Sequence, residues 1–171
     1  MDDKIRRKIA ETAAKEHDWN VADVRVDEVE RLRRPQCSFY TAANTALPLS
    51  YLLNYAVIGN QVTTRGDGKV VAKIIDSCSI GASAGWWAEI VARFHQSLGG
   101  TQVLQDENTR PDITRKLSET GKAFSPPVLD PKKQSVSFLL LKRETYVVYQ
   151  VEAKRNGSGA FEVTKTEVLA P

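Results

Sequence analysis

Ser135-Val136-Ser137-Phe138-Leu139-Leu140, then Val147-Val148-Tyr149-Gln150-Val151-Glu152-Ala153-Lys154, then Asn156-Gly157-Ser158-Gly159 ahead of Phe161-Glu162-Val163, decide the fold class. Val136, Phe138 and Leu140 alternate with Ser135, Ser137 and Leu139. Val147, Tyr149, Val151 and Ala153 alternate with Val148, Gln150, Glu152 and Lys154. Successive side chains of a strand point to opposite faces, so this alternation marks strands with one buried side. The Asn-Gly-Ser-Gly run turns the chain back, and Phe161 and Val163 open a third strand. The C-terminal third is therefore an antiparallel meander.

At the other end, residues 2–17 read as a helix, with Asp2 and Asp3 suited to its positive N-terminal pole. Ile5, Ile9 and Ala13 give it a narrow apolar stripe. Val24 and Val26 alternate with Asp23, Arg25 and Asp27, a strand with one wet face, and the pattern slips at Val29. Residues 37–41 and 49–62 read as further strands, separated by a loop or bend over 42–48.

Arg65-Gly66-Asp67-Gly68 is a turn, with Asp67 a candidate helix cap. Val70, Val71, Ile74, Ile75 and Cys78 form one helical face, and Trp87, Ile90, Val91, Phe94 and Leu98 form a second, stopped by Gly99-Gly100. Residues 101–133 are polar and rich in proline; Thr109 reads as the cap of a short helix carrying Ile113 and Leu117, and the rest as surface loop.

The order predicts an α+β fold in a single domain over residues 1–171: an N-terminal helix on a curved antiparallel sheet, a helical and loop insertion over 65–133 containing two helices, and the three-stranded meander. A curved sheet gripping its N-terminal helix is an arrangement similar to that of cystatin-like and NTF2-like domains, in architecture alone.

Composition narrows the function. The chain has 171 residues, 24 basic and 21 acidic, and a formal charge of +3, which compels no polyanionic partner. Charge is unevenly spread: residues 1–34 hold nine basic and nine acidic side chains, and residues 35–64 hold none. Such a stretch is either interior or an apolar contact surface. The charged N-terminus is not followed by the apolar run of a secretory signal, and the most apolar segment, 46–58, is 13 residues long and interrupted by Pro48, Ser50 and Asn54. A cytoplasmic protein with no membrane contact is expected. In that compartment Cys37 and Cys78 read as small buried hydrophobes; in an exported chain they could form a disulfide.

Gly81-Ala82-Ser83-Ala84-Gly85 matches the GxSxG turn of serine hydrolases. Serine chemistry needs a base, and no histidine follows His95, which lies 12 residues on, about 18 Å along a helix at ~1.5 Å per residue. The motif is expected to link two helices. Two histidines without HxH or HExxH spacing make no metal site, no cofactor motif is present, and neither cysteine has a local partner for thiol chemistry. Glu152 and Glu162 could face each other across the last hairpin, although Lys154 and Lys165 point to cross-strand charge pairing instead. Basic clusters at Arg31-Arg33-Arg34, Lys132-Lys133, Lys142-Arg143 and Lys154-Arg155 are broken by glutamates, which weakens a nucleic-acid reading.

The aromatics remain. Trp87 lies on an apolar stripe, and Trp86 points about 100° away from it. Trp86 with the uncharged-stretch tyrosines Tyr40, Tyr51 and Tyr55 could line a pocket or a partner surface, core packing being the simpler account. The expectation is a non-enzymatic module that binds another protein or a second copy of itself, of adaptor, chaperone-like or inhibitor type. The second reading is a small-molecule or hydrolytic domain with a pocket between sheet and helices, and the third a nucleic-acid binder.

Overall fold

A computed structural model describes residues 2–47 and 52–170. It is an α+β protein with antiparallel sheets, and it divides into two compact units, Met1–Arg65 and Gly66–Pro171. The segment read as an insertion thus belongs, from residue 66, to the same unit as the meander.

The first unit is helix α1 (Asp2–His17) followed by strands β1 (Val24–Glu28), β2 (Cys37–Asn44), β3 (Leu53–Ile58) and β4 (Gln61–Thr64), ordered β1-β2-β3-β4 in one sheet. The helical stripe and the strand alternation meet: Ile9 and Ala13 are fully buried against Tyr40, Ala42, Tyr55 and Val57, with Ile5, Val24, Val26 and Val62 packed around them. Burying a side chain such as Ile9 contributes about 1.5–3 kcal/mol, which is what holds a helix with so little intrinsic apolar surface to its sheet. Two strand readings are corrected here. The bend expected from residue 42 begins later, because Ala42, Ala43 and Asn44 still pair with β1. Residues 49–51 of the run read as strand over 49–62 lie outside the described residues; from Leu53 the run is a hairpin, turned by Gly59-Asn60 with Gly59 at φ +58°, which suits a two-residue hairpin turn.

The second unit begins with α2 (Gly68–Cys78) and α3 (Ala84–Phe94). Asp67 caps α2 through Oδ1, which accepts from the Lys69 and Val70 amides at 3.0 and 3.4 Å. Next come β5 (Thr101–Leu104), α4 (Pro111–Glu119) and β6 (Val128–Asp130), then the meander β7 (Ser135–Lys142), β8 (Val147–Arg155) and β9 (Phe161–Leu169). The sheet runs β5-β7-β8-β9, and β6 lies beside the start of β7, on the edge whose far half pairs with β5. Both short strands fall in the stretch read as surface loop, and α4 starts after Arg110 instead of at a Thr109 cap.

Period-two alternation splits the meander between two layers. Leu139, Leu141 and Val148 face one side, where Ile113 and Leu117 of α4 pack on them with Leu104 and Leu169. Val136, Phe138, Val151 and Ala153 face the other, as does Phe161, which meets Trp87 of α3 edge-on with ring centroids 6.0 Å apart. Arg155 ties the hairpin to α2: its guanidinium pairs with Asp76 and lies 5.1 Å over the Phe161 ring.

The tightest approach is between Gly68 and Phe161. A β-carbon on Gly68 would collide with the Phe161 backbone, and backbone cannot swing aside as a side chain can. Gly68→Ala is therefore expected to destabilise the protein by about 1–3 kcal/mol, whereas Gly157→Ala, with open space around it, changes stability by less than about 0.5 kcal/mol. Paired denaturant melts of the two variants check this.

Candidate functional site

Ser83 is the N-cap of α3, its Oγ accepting from the Trp86 amide at 3.1 Å. His95 sits at the other end of the same helix, where Nδ1 meets Ser97 Oγ at 2.7 Å. Eleven residues of helix stand between them, a separation of about 18 Å at ~1.5 Å per residue step, so imidazole and hydroxyl cannot exchange a proton. Glu152 lies opposite Thr164, and Glu162 opposite Lys154, so the two carboxylates are not a facing pair. Among the described residues no group of three or more His, Cys, Asp or Glu is placed to hold a metal ion, and no helix is long and apolar enough to cross a membrane. Cys37 and Cys78 are buried, and neither is a free thiol: both are disulfide-bonded.

The aromatic rings separate by position. Tyr40 and Tyr55 keep 2% and 1% of their surface, in the core beneath α1. Trp86, 5% exposed, is as buried as Trp87. These rings are interior, and Tyr51 lies outside the described residues. Burial, then the charge and side-chain hydrogen bonding of Glu16 near the end of α1, raise the Tyr55 pKa well above the ordinary 10.0.

Two surface features belong to the second unit. An open depression of about 430 Å³ lies beside α4, lined by Glu107, Thr114, Ser118, Lys122 and Phe124 among others. Its mixed lining and wide mouth differ from the apolar enclosure that a small-molecule site needs. Tyr146, half-exposed and at φ +56°, carries Arg110 over its ring at 5.6 Å, while Asp112 holds the same guanidinium through two bonds of 2.7 and 3.0 Å. That bidentate grip holds the Asp112 carboxyl down at about 2. The arginine is engaged on both sides, and the cluster clamps the β7–β8 turn to the start of α4.

One apolar surface stands out in the first unit. The antiparallel register puts the start of β1, the end of β2 and the start of β3 at one end of the sheet: Val24 lies opposite Asn44, and Ala42 opposite Leu53. Both the Thr45 amide and its hydroxyl donate to the Asp23 carbonyl, at 2.8 and 2.9 Å, pinning the β2–β3 connection beside the turn that enters β1. Buried Asn44 fixes its first residues, its Oδ1 accepting from the Ala46 amide at 2.9 Å. At this end Val21, Leu47 and Leu52 are 47, 47 and 54% exposed, half of the six large hydrophobics exposed among the described residues. The intervening sequence, Pro48-Leu49-Ser50-Tyr51, carries no charge. Composition located the uncharged stretch, but its division into buried strands and the exposed Leu47 and Leu52 needed the register.

The chain matches no protein family, no curated protein and no solved structure.

Tyr55 gives a pH test of the first unit. Its raised folded pKa means that its contribution is fully present below pH 10.0, the ordinary tyrosine value, and is lost as pH climbs above it. Wild-type stability is expected to fall through that range, and Tyr55→Phe to fall less steeply from a start about 1 kcal/mol lower. Urea melts from pH 8 upward, a range set by the ordinary tyrosine pKa, check both slopes.

Proposed function

We propose that the protein is a non-enzymatic binding module whose contact surface is the apolar end of the first unit: Val21 with Leu47 and Leu52, which flank the β2–β3 connection. The exposure of Leu47 and Leu52 on either side of this connection carries the reading. A large apolar side chain left in water gains by entering a partner's cleft, and interface centres are poor in charge and rich in such groups. Asp18 and Asp23 flank Val21 in sequence, so a partner with an apolar cleft and a basic rim would fit best. The engagement of Ser83 as a helix cap supports a binding role over a hydrolytic one.

The test is affinity capture from the source organism, followed by titration of the captured protein against wild type and the Leu47→Asp, Leu52→Asp double variant. Binding is expected to weaken at least about tenfold with an unchanged melt, because a buried aspartate replaces each anchor. Equal affinity for the variant would remove this surface from the proposal.

The oxidised cysteines also favour an oxidising compartment over the cytoplasm expected from the N-terminus, since cytosolic thiols are kept reduced. Protein taken from its source and denatured in alkylating reagent without reductant should gain no label, and after reduction should gain one at each of its two cysteines. Full labelling without reductant would return the protein to a reducing compartment.

A further inference from the structure

We propose that the second unit pairs with a second copy of the chain through the middle of β9, the two strands joining antiparallel about a two-fold axis at Thr166. Among the described residues no strand lies beyond β9, so it is an edge. The turn that precedes it shows which of its backbone groups are open. The Asn156 amide donates to the Ala160 carbonyl at 2.8 Å, which makes 156 and 160 a hydrogen-bonded pair. Such pairs alternate along an antiparallel ladder. Glu162, Thr164 and Thr166 therefore bond inward to Lys154, Glu152 and Gln150, and Phe161, Val163, Lys165 and Glu167 turn their N–H and C=O outward.

Both ends of that edge are occupied. Gly68 backs onto the outward groups of Phe161, and Lys122 Nζ donates to the Val168 carbonyl. Between them, residues 164–167 are exposed on both faces of the sheet as well as along the edge. An extended segment so uncovered is a template for another strand.

The charge pattern selects a second copy as the occupant. Outward-turned residues must lie opposite outward-turned residues, and a two-fold axis perpendicular to the sheet keeps each face on its own side. With the axis at Lys165 the lysines would oppose each other, and with it at Thr164 each lysine would face Val163. With it at Thr166, Lys165 lies opposite Glu167 of the second copy, and Glu167 opposite its Lys165. Each such pair exchanges N–H and C=O across the axis and also sets an ammonium beside a carboxylate, while the threonines meet side by side. Lys165 already leans over the Tyr149 ring at 5.2 Å, on the face it shares with Glu167. This strand shares no residue with the apolar end of the first unit, so either proposal can fail alone.

Sedimentation of the full chain over a range of concentrations tests the pairing. Wild type is expected to dimerise reversibly and more weakly as salt rises. Lys165→Glu should weaken the dimer about tenfold by setting carboxylate against carboxylate at both pairs, and adding Glu167→Lys should restore it by exchanging the charges. Should Lys165→Glu alone fail to fold, the double exchange decides: wild-type dimer strength supports the pairing and a monomer refutes it. A wild-type chain monomeric at every concentration, or a dimer indifferent to Lys165→Glu, would also overturn the proposal.

Discussion

Phe161 is the point on which the second unit depends. Its ring is buried, with Trp87 edge-on to it and the Arg155 guanidinium above it, while its outward backbone groups lie against Gly68. One residue therefore joins α3, the β8–β9 hairpin and the first turn of α2. The arrangement works because the constraints agree. An edge residue of this register turns its peptide groups outward, a glycine at the first turn of α2 lets the helix come close enough to cover them, and the Asp67 cap fixes where that helix starts. Moving the register by one residue would send the Phe161 ring to the opposite face of the sheet and expose the groups that Gly68 covers.

The parts of this fold legible in sequence were those where one periodicity ran long enough to exclude the other. The meander, the α1 stripe and the two helices after Asp67 all met that condition. β5 and β6 did not, because Thr101–Leu104 and Val128–Asp130 span four and three residues, too few to show a period. They are strands because β7 offers a long edge to pair with, a tertiary cause. Gly59-Asn60 was hidden for a different reason: the residues on both sides were apolar or uncharged, so composition stayed uniform across a reversal of direction. The facing of Glu152 and Glu162 failed on register, because the hairpin pairs positions that sum to 316 and so sets Glu162 against Lys154.

The candidate site was legible only in part, and for a reason inherent in apolar residues. An uncharged run with aromatics is what a core strand needs and also what an interface needs, and the choice turns on which strand residues face a helix. Tyr40 and Tyr55 share a face with Ile9 and Ala13, so α1 covers them. Leu47 and Leu52 lie beyond the last paired residues of β2 and β3, where no helix stripe reaches. The same stretch therefore supplies the core through two strands and, between them, the exposed Leu47 and Leu52.

The way the chain treats its strand edges bears on β9. In β1 the inward bonds are made at odd positions, as the Val29 amide to the Phe39 carbonyl and the Thr45 amide to the Asp23 carbonyl show, so the Val26 carbonyl points outward. Arg6 of α1 occupies that carbonyl at 2.8 Å and stacks over Tyr40, closing the middle of the edge from within the unit. β9 is longer, and its stoppers sit at its ends. A lysine in the middle of an edge commonly repels further strands. Here the lysine has a glutamate two residues on, in the same backbone orientation and on the same face, so the charge that rejects a lysine-centred register favours the Thr166-centred one. Charge thus ranks the Thr166-centred register above its two neighbours on the same edge.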